Sequence, residues 1–548
     1  FIRVEEPTMT EWHFATAYER IADTIGDQAA LISGDQTSTW TEYDDKSARI
    51  ANILHQHGLG TDSKVGIYLH NSNEYLEAHH GIMKLRACPI NVNYRYQEEE
   101  LIYLLNNADA EAIIFHSAYA QRIETIKDRL DQVKCFIQVA DRTDNSLING
   151  ALDYESVIKS ADPMARIERK ASDLYMLYTG GTTGMPKGVM YANGEHCAGL
   201  AAFGATLGIK PVESVDDLPA AISQARDLNM LPRGMICCPL MHGTGIWIGA
   251  MISHLAGGAA ITVDKLGLDP HLLWSEVQRH DATFMTIVGD AFARPLLNAL
   301  EEASLKQTPY NLSSLGLIIS SGVMWSQEVK DGLLAQHEMT LIDAIGSSEG
   351  GMGSSVSTRE TSSKTAKFEL SPGVQVFTGD NRVVEPGSGD MGMIATQSAM
   401  RGYYKDQEKT LETVREIAGN RWVFPGDYAT VEADGRINLL GRGSMCINTA
   451  GEKVFPEEVE EVVKRHANTE DCLVVGMPDP RFGEKIVALV SCTNDDLSDT
   501  ALIEHCRELL AGFKLPKQII FVDLVQRAAN GKADYQWAKQ TAEAALAQ

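Results

Sequence analysis

The sequence predicts an α/β fold: a large, multi-layer N-terminal domain, with β-sheets flanked by helices, followed by a small α+β domain. Through most of the chain, short β-type runs alternate with amphipathic helical stretches, a pattern typical of layered, largely parallel sheets. The pattern changes near Arg442, and a chain of 548 residues is too long for one compact core. We therefore expect two domains, residues 1–441 and 442–548.

The elements of the N-terminal part follow from hydrophobic periodicity. The strand-like runs cover residues 65–69, 112–115, 136–139, 174–177, 261–263, 284–288, 315–320 and 341–345. Amphipathic stretches such as 118–130 and 271–280 lie between these runs and predict helices. Residues 206–233 are acidic and contain three prolines, which favours a solvated surface excursion.

The C-terminal part begins with a predicted helix at residues 454–466, with Pro456 in its first turn. The later elements are strands at 472–476 and 486–491, a helix at 499–510 and a strand at 519–522. About a hundred residues of this kind make a small α+β domain of ordinary size.

Composition argues against several classes of partner. The formal net charge of −26 disfavours nucleic acid and anionic membranes, because either needs a basic face on the protein. The nine cysteines are scattered and never spaced C-x-x-C, which argues against disulfides and structural zinc and suits a reducing cytoplasm. Residues 1–10 lack the apolar region of a signal peptide, so we expect a cytoplasmic protein.

One segment, residues 244–263, is apolar enough to be considered as a membrane span. It contains four glycines and His254, and a lone histidine is costly in lipid. A buried helix followed by a buried strand explains this segment better, so we expect no integral membrane association.

The most informative stretch is Tyr-Thr-Gly-Gly-Thr-Thr-Gly-Met-Pro-Lys-Gly at residues 178–188. Glycines let backbone amides approach an anion, and successive free amides form a nest for phosphate oxygens. Three threonine hydroxyls and the ammonium of Lys187 add donors. A Walker A loop is excluded, because Lys187 does not follow Gly184 directly and no Ser or Thr follows it.

This loop resembles the signature of the adenylate-forming superfamily, which includes acyl-CoA synthetases, beetle luciferase and the adenylation domains of peptide synthetases. The resemblance runs from about residue 27 to 537. Seven more motifs carry it: residues 239–245, 321–322, 346–349, 402–410, 426–427, 441–458 and 530–532. The residues of these motifs are similar to those of ligases for long-chain or steroid side-chain acids. The resemblance implies ATP and coenzyme A (CoA) as co-substrates, a small-molecule carboxylic acid and Mg²⁺; a homodimer is left open.

The resemblance also implies roles for individual residues. Lys532, Glu349, Thr179 and His242 would be catalytic, and Glu349 and Thr179 would lie at Mg²⁺. The residues implied to bind ATP or AMP are Thr179, Gly180, Gly181, Thr182, Thr183, Gly184, Lys187, Ser321, Gly322, Asp343, Ala344, Ile345, Gly346, Ser347, Ser348, Asp427, Arg442 and Lys532. The small domain would be mobile: rotation about Ser444 would withdraw Lys532 and bring Gly451, Glu452 and Lys453 to the site for CoA.

Three positions depart from the family pattern. Ile345 stands where an aromatic residue usually packs on adenine, and Pro425 precedes Gly-Asp where the family has Thr. Ser444 occupies the hinge position that is usually Asp or Lys. These departures concern adenine contacts and domain rotation rather than phosphate chemistry.

The acyl pocket is expected to be small-residue-rich and apolar, which leaves volume for a bulky or long hydrophobic acid. The residues expected to line it are His242, Gly243, Gly245, Trp247, Gly289, Ala291, Gly350 and Met352. No carboxylate stands in residues 241–245 to pair with an ammonium group, which disfavours an amino acid substrate.

Two alternative functions stay open. One is a stand-alone adenylating enzyme that loads a carrier protein. The other is an α/β-hydrolase, because residues 346–350 fit G-x-S-x-G with Ser348 as the nucleophile. That motif requires a helix after the serine, and the glycines at 350, 351 and 353 disfavour one.

Overall fold

The fold comes from a computed structural model that describes residues 11–179, 185–361, 365–449, 452–479, 483–493, 497–528 and 531–546. The α-helices are α1 (Phe14–Ile25), α2 (Trp40–Gln56), α3 (Asn73–Lys84), α4 (Glu98–Asn107), α5 (Ala120–Ile126), α6 (Tyr154–Ser160), α7 (Asn193–Ala202), α8 (Leu218–Asp227), α9 (Ile252–Leu255), α10 (Pro270–Arg279), α11 (Gly289–Leu305), α12 (Gln327–Gln336), α13 (Gln407–Thr413), α14 (Pro456–Lys464), α15 (Asp499–Leu509) and α16 (Tyr535–Leu546). A π-helix spans Thr244–Met251, and 3₁₀ turns cover Ser117–Tyr119, Lys127–Arg129, Phe203–Leu207, Val215–Asp217, Gly443–Met445 and Gly512–Lys514.

The strands, in chain order, are β1 (Ala29–Ser33), β2 (Gln36–Thr39), β3 (Lys64–Tyr68), β4 (Cys88–Asn91), β5 (Ala110–His116), β6 (Cys135–Val139), β7 (Leu152–Asp153), β8 (Leu174–Thr179), β9 (Lys187–Ala192), β10 (Arg233–Ile236), β11 (Ala259–Thr262), β12 (Phe284–Ile287), β13 (Leu317–Ser321), β14 (Thr340–Ser347), β15 (Gly350–Ser357), β16 (Lys367–Leu370), β17 (Val374–Phe377), β18 (Met391–Thr396), β19 (Met400–Tyr403), β20 (Val414–Ile417), β21 (Asn420–Val423), β22 (Asp427–Val431), β23 (Ile437–Arg442), β24 (Ile447–Thr449), β25 (Glu452–Val454), β26 (Thr469–Asp479), β27 (Gly483–Cys492) and β28 (Gln518–Phe521). All seven strands expected at 65–345 in the N-terminal alternation are present, as is the strand at 174–177.

The largest sheet has two halves of different character. Strands β1, β11, β10, β12, β13 and β14 lie side by side and parallel. They are short apolar runs with helices α10, α11 and α12 packed nearby, and Trp274, Leu296 and Val329 of those helices are completely buried. Both faces of such strands are covered, which explains why they read as continuous hydrophobic runs.

The other half of this sheet is antiparallel, in the order β14, β15, β16, β23, β22, β18, β21 and β20, with β17 beside β18. The parallel arrangement that the alternation predicts therefore extends through β14, and the strands at residues 350–442, which the alternation does not cover, are antiparallel. The physical reason is the length of the connections. Two residues join β14 to β15, whereas a parallel pair needs a crossover of a dozen residues or more.

Two smaller sheets complete the N-terminal part. Strands β4, β3, β5, β6 and β7 form a parallel sheet in that order. Strands β19, β9 and β8 form an antiparallel sheet, and the predicted phosphate loop connects β8 to β9. These three sheets and their helices form the α/β architecture that the sequence predicts for the N-terminal part.

The C-terminal part has its own sheet, in which β25, β24, β27 and β26 are antiparallel neighbours and β28 runs parallel to β27. Helices α14 and α15 cover one face, where Val463 and Leu502 are buried, and α16 covers the other through Ala538 and Ala542. Pro456 is the first residue of α14, as expected from its preorganised backbone angle.

Two expectations about unusual segments have different outcomes. Residues 244–263 form the π-helix, α9 and strand β11, as expected for a buried helix followed by a buried strand. None of the described helices is long and apolar enough to cross a membrane. The solvated excursion at 206–233 is a wrong expectation, because α8 packs on α1 and buries Leu218 and Ile222.

Candidate active site

Lys532 lies beside residues of the N-terminal part of the chain. A methyl group placed on Gly322 would lie 3.7 Å from Lys532 Cε and 3.8 Å from Thr244 Oγ1. Gly322 has φ +98°, a conformation that glycine adopts readily and other residues avoid. The lysine of the C-terminal motif and the glycine of the 321–322 motif are therefore neighbours in space.

Three further charges act on this lysine. Desolvation by burial lowers the pKa of Lys532, and the nearby charge of Arg442 lowers it further. The carboxylates of Glu349 and Asp427 oppose these effects and raise the Lys532 pKa. The structure therefore brings together four of the residues that the sequence predicts for ATP and Mg²⁺.

Asp427 and Arg442 lie opposite each other on strands β22 and β23. Arg442 Nε donates a hydrogen bond to Asp427 Oδ1 at 3.4 Å. The other oxygen of the buried carboxylate, Oδ2, has no hydrogen-bond partner among the described residues. Burial raises the pKa of Asp427, and the charge of Arg442 opposes that rise. A buried acceptor without a partner is costly unless a ligand donates to it, and a ribose hydroxyl is a donor of the right kind.

Glu349 belongs to the two-residue turn between β14 and β15, where Ser347 pairs with Gly350. Its side chain is buried, and Tyr403 Oη donates a hydrogen bond to Glu349 Oε1 at 2.7 Å. Within the described part of the chain, the second oxygen, Oε2, accepts no hydrogen bond. One carboxylate oxygen is thus held by the protein, and the other is available to a ligand.

The same turn decides against the hydrolase alternative. A nucleophile elbow places its serine between a strand and a helix. Here Ser348 lies between two antiparallel strands, so the residues that fit G-x-S-x-G form a hairpin. The prediction that glycines prevent a helix at this point is confirmed.

The phosphate loop is described only at its two ends. Thr179 is the last residue of β8 and pairs with Lys187, the first residue of β9. Gly180, Gly181, Thr182, Thr183 and Gly184 lie outside the described residues, so their predicted roles stay predictions. Lys187 Nζ donates to Asp406 Oδ2 at 2.6 Å, and this hydrogen bond lowers the pKa of Asp406.

Two asparagines that the sequence analysis did not identify bind the backbone of segments next to the site. The Asn91 amide group donates to the carbonyls of Tyr178 and Met241 at 2.8 and 2.7 Å, and its oxygen accepts from Tyr178 N–H. Asn71 likewise binds Cys238 and Leu240. Asn91 ends strand β4, and a polar residue directly after a buried apolar run was a signal that could have identified it.

His242 follows the segment that these asparagines hold. Burial lowers the pKa of His242 to about 3, and the charges of Lys532 and Arg95 lower it in the same direction. The imidazole is therefore neutral at physiological pH. A neutral imidazole near Lys532 can donate or accept a hydrogen bond without adding repulsion to the site.

The predicted adenine segments lie on adjacent strands, because Ser321 of β13 pairs with Ala344 of β14. The side chain of Asp343 forms a buried ion pair with Lys330 at 2.9 Å. Burial raises the pKa of Asp343 to about 6, and Lys330 opposes that rise. Ile345 is half-buried, and Gly346, Ser347 and Ser348 lead into the Glu349 turn. The nucleotide roles of the seven residues named here from the prediction, Ser321, Asp343, Ala344, Ile345, Gly346, Ser347 and Ser348, stay predictions.

The predicted acyl-pocket glycines have a packing reason that the sequence did not reveal. A methyl group on Gly245 would lie 2.2 Å from Pro239 O, and one on Gly289 would lie 2.5 Å from Met324 O. A methyl group on Gly350 would lie 2.6 Å from Ser398 Cβ. These contacts argue against the expectation that such glycines leave open volume, because neighbouring atoms already occupy the space beside each of them.

The other predicted pocket residues have mixed surroundings. Met352 is completely buried in a core with Phe368 and Ile394, and Trp247 Nε1 donates to Tyr175 Oη at 3.0 Å. A methyl group on Gly243 would lie 3.1 Å from the Trp247 ring. Ala291 lines the large cleft described next. Their roles in acyl binding stay predictions.

A cleft of about 1370 Å³ is lined both by residues of the N-terminal part and by residues 464–531. Its N-terminal wall contains His70, Tyr94, Arg95, Tyr119 and Arg122. Each of these follows the carboxyl end of β3, β4 or β5, the edge at which parallel sheets usually bind ligands. The sequence analysis did not identify these residues, because their chemistry becomes visible only when the three strands are adjacent.

The predicted CoA residues lie in the C-terminal sheet. Glu452 and Lys453 belong to β25, which pairs with β24, and Gly451 lies outside the described residues. Ser444 lies in the 3₁₀ turn Gly443–Met445, between the last strand of the large sheet and the first strand of the small one. Their predicted contacts with CoA and their role in rotation stay predictions.

An α/β fold in which Lys532 of the C-terminal part lies close enough to Asp427 and Glu349 of the N-terminal part for their charges to interact is the arrangement expected of an AMP-forming acid–thiol ligase. Comparison with family models agrees. Residues 18–404 match the AMP-binding enzyme family, and residues 458–532 match the AMP-binding enzyme C-terminal domain. The chain belongs to this family.

Curated relatives cover almost the whole chain. It is 38% identical over 535 residues to a 3-oxocholest-4-en-26-oate–CoA ligase of Rhodococcus rhodochrous, covering 96% of this chain and 95% of that protein. It is 36% identical to a medium/long-chain-fatty-acid–CoA/3-oxocholest-4-en-26-oate–CoA ligase of Mycolicibacterium smegmatis, with 97% and 96% coverage.

A solved structure of an anthranilate CoA ligase in complex with anthranoyl-AMP has a similar fold. The TM-score is 0.84, the identity is 21%, and 98% of each chain is covered. Together, the comparisons confirm the predicted adenylate-forming family, the α/β fold and the CoA ligase class. They do not bear on individual site residues.

Proposed function

We propose that this chain adenylates a hydrophobic carboxylic acid with ATP, releasing pyrophosphate, and then transfers the acyl group to CoA, releasing AMP. The observation that supports this most strongly is that Lys532 lies close enough to Asp427, Arg442 and Glu349 for their charges to act on it. A lysine from one part and carboxylates from the other suit a reaction in which charge builds up on phosphate oxygens.

In the first half-reaction, Lys532 would bridge the acid carboxylate and the α-phosphate. The lysine is held close to Gly322 and Thr244, which places its charge at the end of strand β13. Asp427 would accept hydrogen bonds from the ribose hydroxyls through the oxygen that lacks a partner among the described residues. Arg442 would contact ribose or phosphate from the facing strand.

The donor set fits Mg²⁺. This ion binds through one or two carboxylates together with substrate phosphates and water, rather than in an all-protein cage. Glu349 supplies one oxygen with no partner among the described residues, and Thr179 ends the strand that leads into the phosphate loop. When bound, the ion would neutralise charge on the phosphate oxygens.

The acid is proposed to be a medium- or long-chain acid or a bulky one resembling a steroid side chain. The relatives in Rhodococcus and Mycolicibacterium, named for such substrates, support this choice. Neighbouring atoms occupy the space beside Gly245, Gly289 and Gly350, so the volume of the pocket must come from other positions. Their substitution is therefore not a clean test of substrate size.

CoA is proposed to bind in the large cleft. Tyr94 and Tyr119 offer rings for an adenine base, and Arg95 and Arg122 offer cations for its phosphates. We propose that residues 1–441 and 442–548 are the two domains, and that rotation at Ser444 then brings Gly451, Glu452 and Lys453 to the thioester-forming site.

The test is a screen of acids from acetate to steroid carboxylates, in which pyrophosphate release is measured with ATP and Mg²⁺. The proposal predicts acid-dependent release that is greatest for large hydrophobic acids, followed by an acyl-CoA product when CoA is added. Activation of an acid without transfer to CoA, but with transfer to a carrier protein, would support the carrier-loading alternative instead.

A further inference from the structure

Three hydroxyl groups hold the Ser348–Glu349 turn, and we call them the hydroxyl clamp: those of Tyr191, Ser398 and Tyr403. Tyr191 Oη donates to the carbonyl oxygen of Ser348 at 2.5 Å. Ser398 Oγ donates to the carbonyl oxygen of Glu349. Tyr403 is different, because its hydroxyl donates to the side chain of Glu349.

The two tyrosines of the clamp come from the sheet that carries the phosphate loop. Tyr191 lies on β9, directly after the loop, and Tyr403 ends β19, which pairs with β9. The sheet therefore connects the phosphate loop with the Glu349 turn, although β14 and β15 belong to a different sheet. The motif at residues 402–410, which the sequence analysis treated as structural, thus reaches the carboxylate of the site.

We propose that Tyr403 is a positioning residue for metal binding: it holds Glu349 Oε1 so that Glu349 Oε2 faces the nucleotide and its divalent cation. The inference rests on the proposed function. The geometry restricts the carboxylate, because a 2.7 Å hydrogen bond from a buried phenol leaves it little rotational freedom.

The geometry of Tyr403 suits a positioning role. Its hydroxyl donates to Glu349 Oε1, and its backbone belongs to strand β19, which is fixed by its pairing with β9. Partners that orient a metal-ligating carboxylate usually change metal affinity or activity about ten- to hundredfold when they are removed.

The neighbouring residue provides a matched control. Tyr404 Oη donates to Asp109 Oδ2 at 2.7 Å, so it too is a tyrosine hydroxyl bonded to a carboxylate. Tyr403→Phe and Tyr404→Phe remove the same group from adjacent positions, but only Tyr403 touches Glu349. A general loss of stability would affect both variants.

The experiment measures two quantities in wild type, Tyr403→Phe, Tyr404→Phe, Glu349→Gln and the Tyr403→Phe/Glu349→Gln double variant. The first is the Mg²⁺ concentration for half-maximal acid-dependent pyrophosphate release. The second is the Kd of Mn²⁺ for the enzyme with a non-hydrolysable ATP analogue, read by electron paramagnetic resonance. Thermal unfolding verifies that each variant is folded.

For Tyr403→Phe, both the Mg²⁺ requirement and the Mn²⁺ Kd should rise about ten- to hundredfold, with little change in Tyr404→Phe. In the Glu349→Gln background, Tyr403→Phe should add little, because the ligand it positions is already lost. Wild-type metal affinity in Tyr403→Phe, an equal shift in Tyr404→Phe, or unfolding of Tyr403→Phe alone would overturn the proposal. Absence of any acid-dependent pyrophosphate release by wild type would instead refute the proposed function, while the Mn²⁺ measurement would still decide the role of Tyr403.

Discussion

Glu349 and Lys532 influence each other through their charges, but they belong to regions that are built in different ways. Glu349 lies in a two-residue turn between paired strands, and three hydroxyls from other elements bind that turn. Lys532 lies in a tight turn closed by the Arg527–Ala533 bridge, which an Arg527–Asp471 ion pair anchors within the C-terminal part.

The difference teaches how the work of the site is divided. The role proposed for Glu349 as a Mg²⁺ ligand requires a fixed orientation, and the three hydroxyls that bind its turn belong to the N-terminal part. The role proposed for Lys532 in one half-reaction requires that it can be withdrawn, and the ion pair that anchors its segment lies within the C-terminal part. The predictions below are arranged to break this comparison, beginning with the largest expected effect.

The largest effect is expected for Lys532→Ala. Adenylation should fall by two to three orders of magnitude, because a charge aimed at the developing phosphate charge is lost. Thioester formation from a supplied acyl-adenylate should survive. Pyrophosphate release and acyl-CoA formation are measured separately for the two half-reactions.

Lys539→Ala is the control, since it removes an exposed lysine from α16 of the same part. It should leave both half-reactions unchanged. If Lys532→Ala damaged both half-reactions equally, the two regions would not have the separate duties inferred here.

Asp427→Ala should raise the KM for ATP about ten- to hundredfold, because hydrogen bonds to a charged acceptor contribute roughly 1.5–3 kcal/mol each. Asp434→Ala removes an exposed carboxylate from the turn after β22 and should leave the KM unchanged. The measurement is the ATP dependence of pyrophosphate release at saturating acid. An unchanged KM in Asp427→Ala would show that Asp427 Oδ2 does not accept hydrogen bonds from the ribose hydroxyls.

Alanine substitutions of two glycines near the site should have different effects on the stability of the protein. Gly245→Ala should lower the free energy of unfolding by about 1–3 kcal/mol, because the new methyl group would overlap Pro239 O. Gly351→Ala has nothing within 4 Å of the new methyl group and should change stability by less than about 0.5 kcal/mol. Urea unfolding compares the two, and equal stability would restore the open-volume interpretation of Gly245.

The smallest effect concerns the contact between the two parts at the hinge. Glu457, in the first turn of α14, lies against Gly441, and its Oε2 has no hydrogen-bond partner among the described residues. Burial raises the pKa of Glu457 well above its usual range, with Glu460 and Asp427 adding to the rise and the backbone amide of Arg442 opposing it.

A carboxyl group whose pKa is raised in the folded state favours its neutral form, so it contributes less stability as pH rises from the unfolded pKa, about 4.3, towards the folded one. Glu457→Gln should therefore make unfolding less dependent on pH in that window. Urea midpoints from pH 5 to 8 test this, with Glu458→Gln as the control. Parallel pH profiles for wild type and Glu457→Gln would show that Glu457 does not contribute to the pH dependence of stability.

Local chemistry in the sequence was sufficient to predict the motifs but not their supports. Recognisable sequence motifs contain the loop at 178–188, Glu349, Asp427 and Lys532. Tyr403 acts on Glu349 across 54 positions, and Asn91 binds a segment 150 positions away. Such pairs become visible only when separate strands are brought together.

The errors have the same physical origin. Hydrophobic runs predicted strands well as far as β14, but the direction of strands depends on connection length, so the antiparallel strands at residues 350–442 were not predicted. In a sequence, a glycine that opens a pocket looks the same as a glycine that lets two backbones touch. The atoms beside Gly289 belong to Val323 and Met324, in a distant segment. Residues 206–233 look polar, yet α8 buries one apolar side against α1.

The central claim is that an acyl-adenylate forms at this site, and the most direct measurement follows oxygen. A hydrophobic acid labelled with oxygen-18 in its carboxylate is converted with ATP and CoA, and the nucleotide product is analysed by mass spectrometry. The account predicts that AMP carries one labelled oxygen, because the thiol attacks the carbonyl carbon and the carboxylate oxygen leaves with phosphate. Unlabelled AMP, or label in inorganic phosphate with ADP as the product, would contradict it.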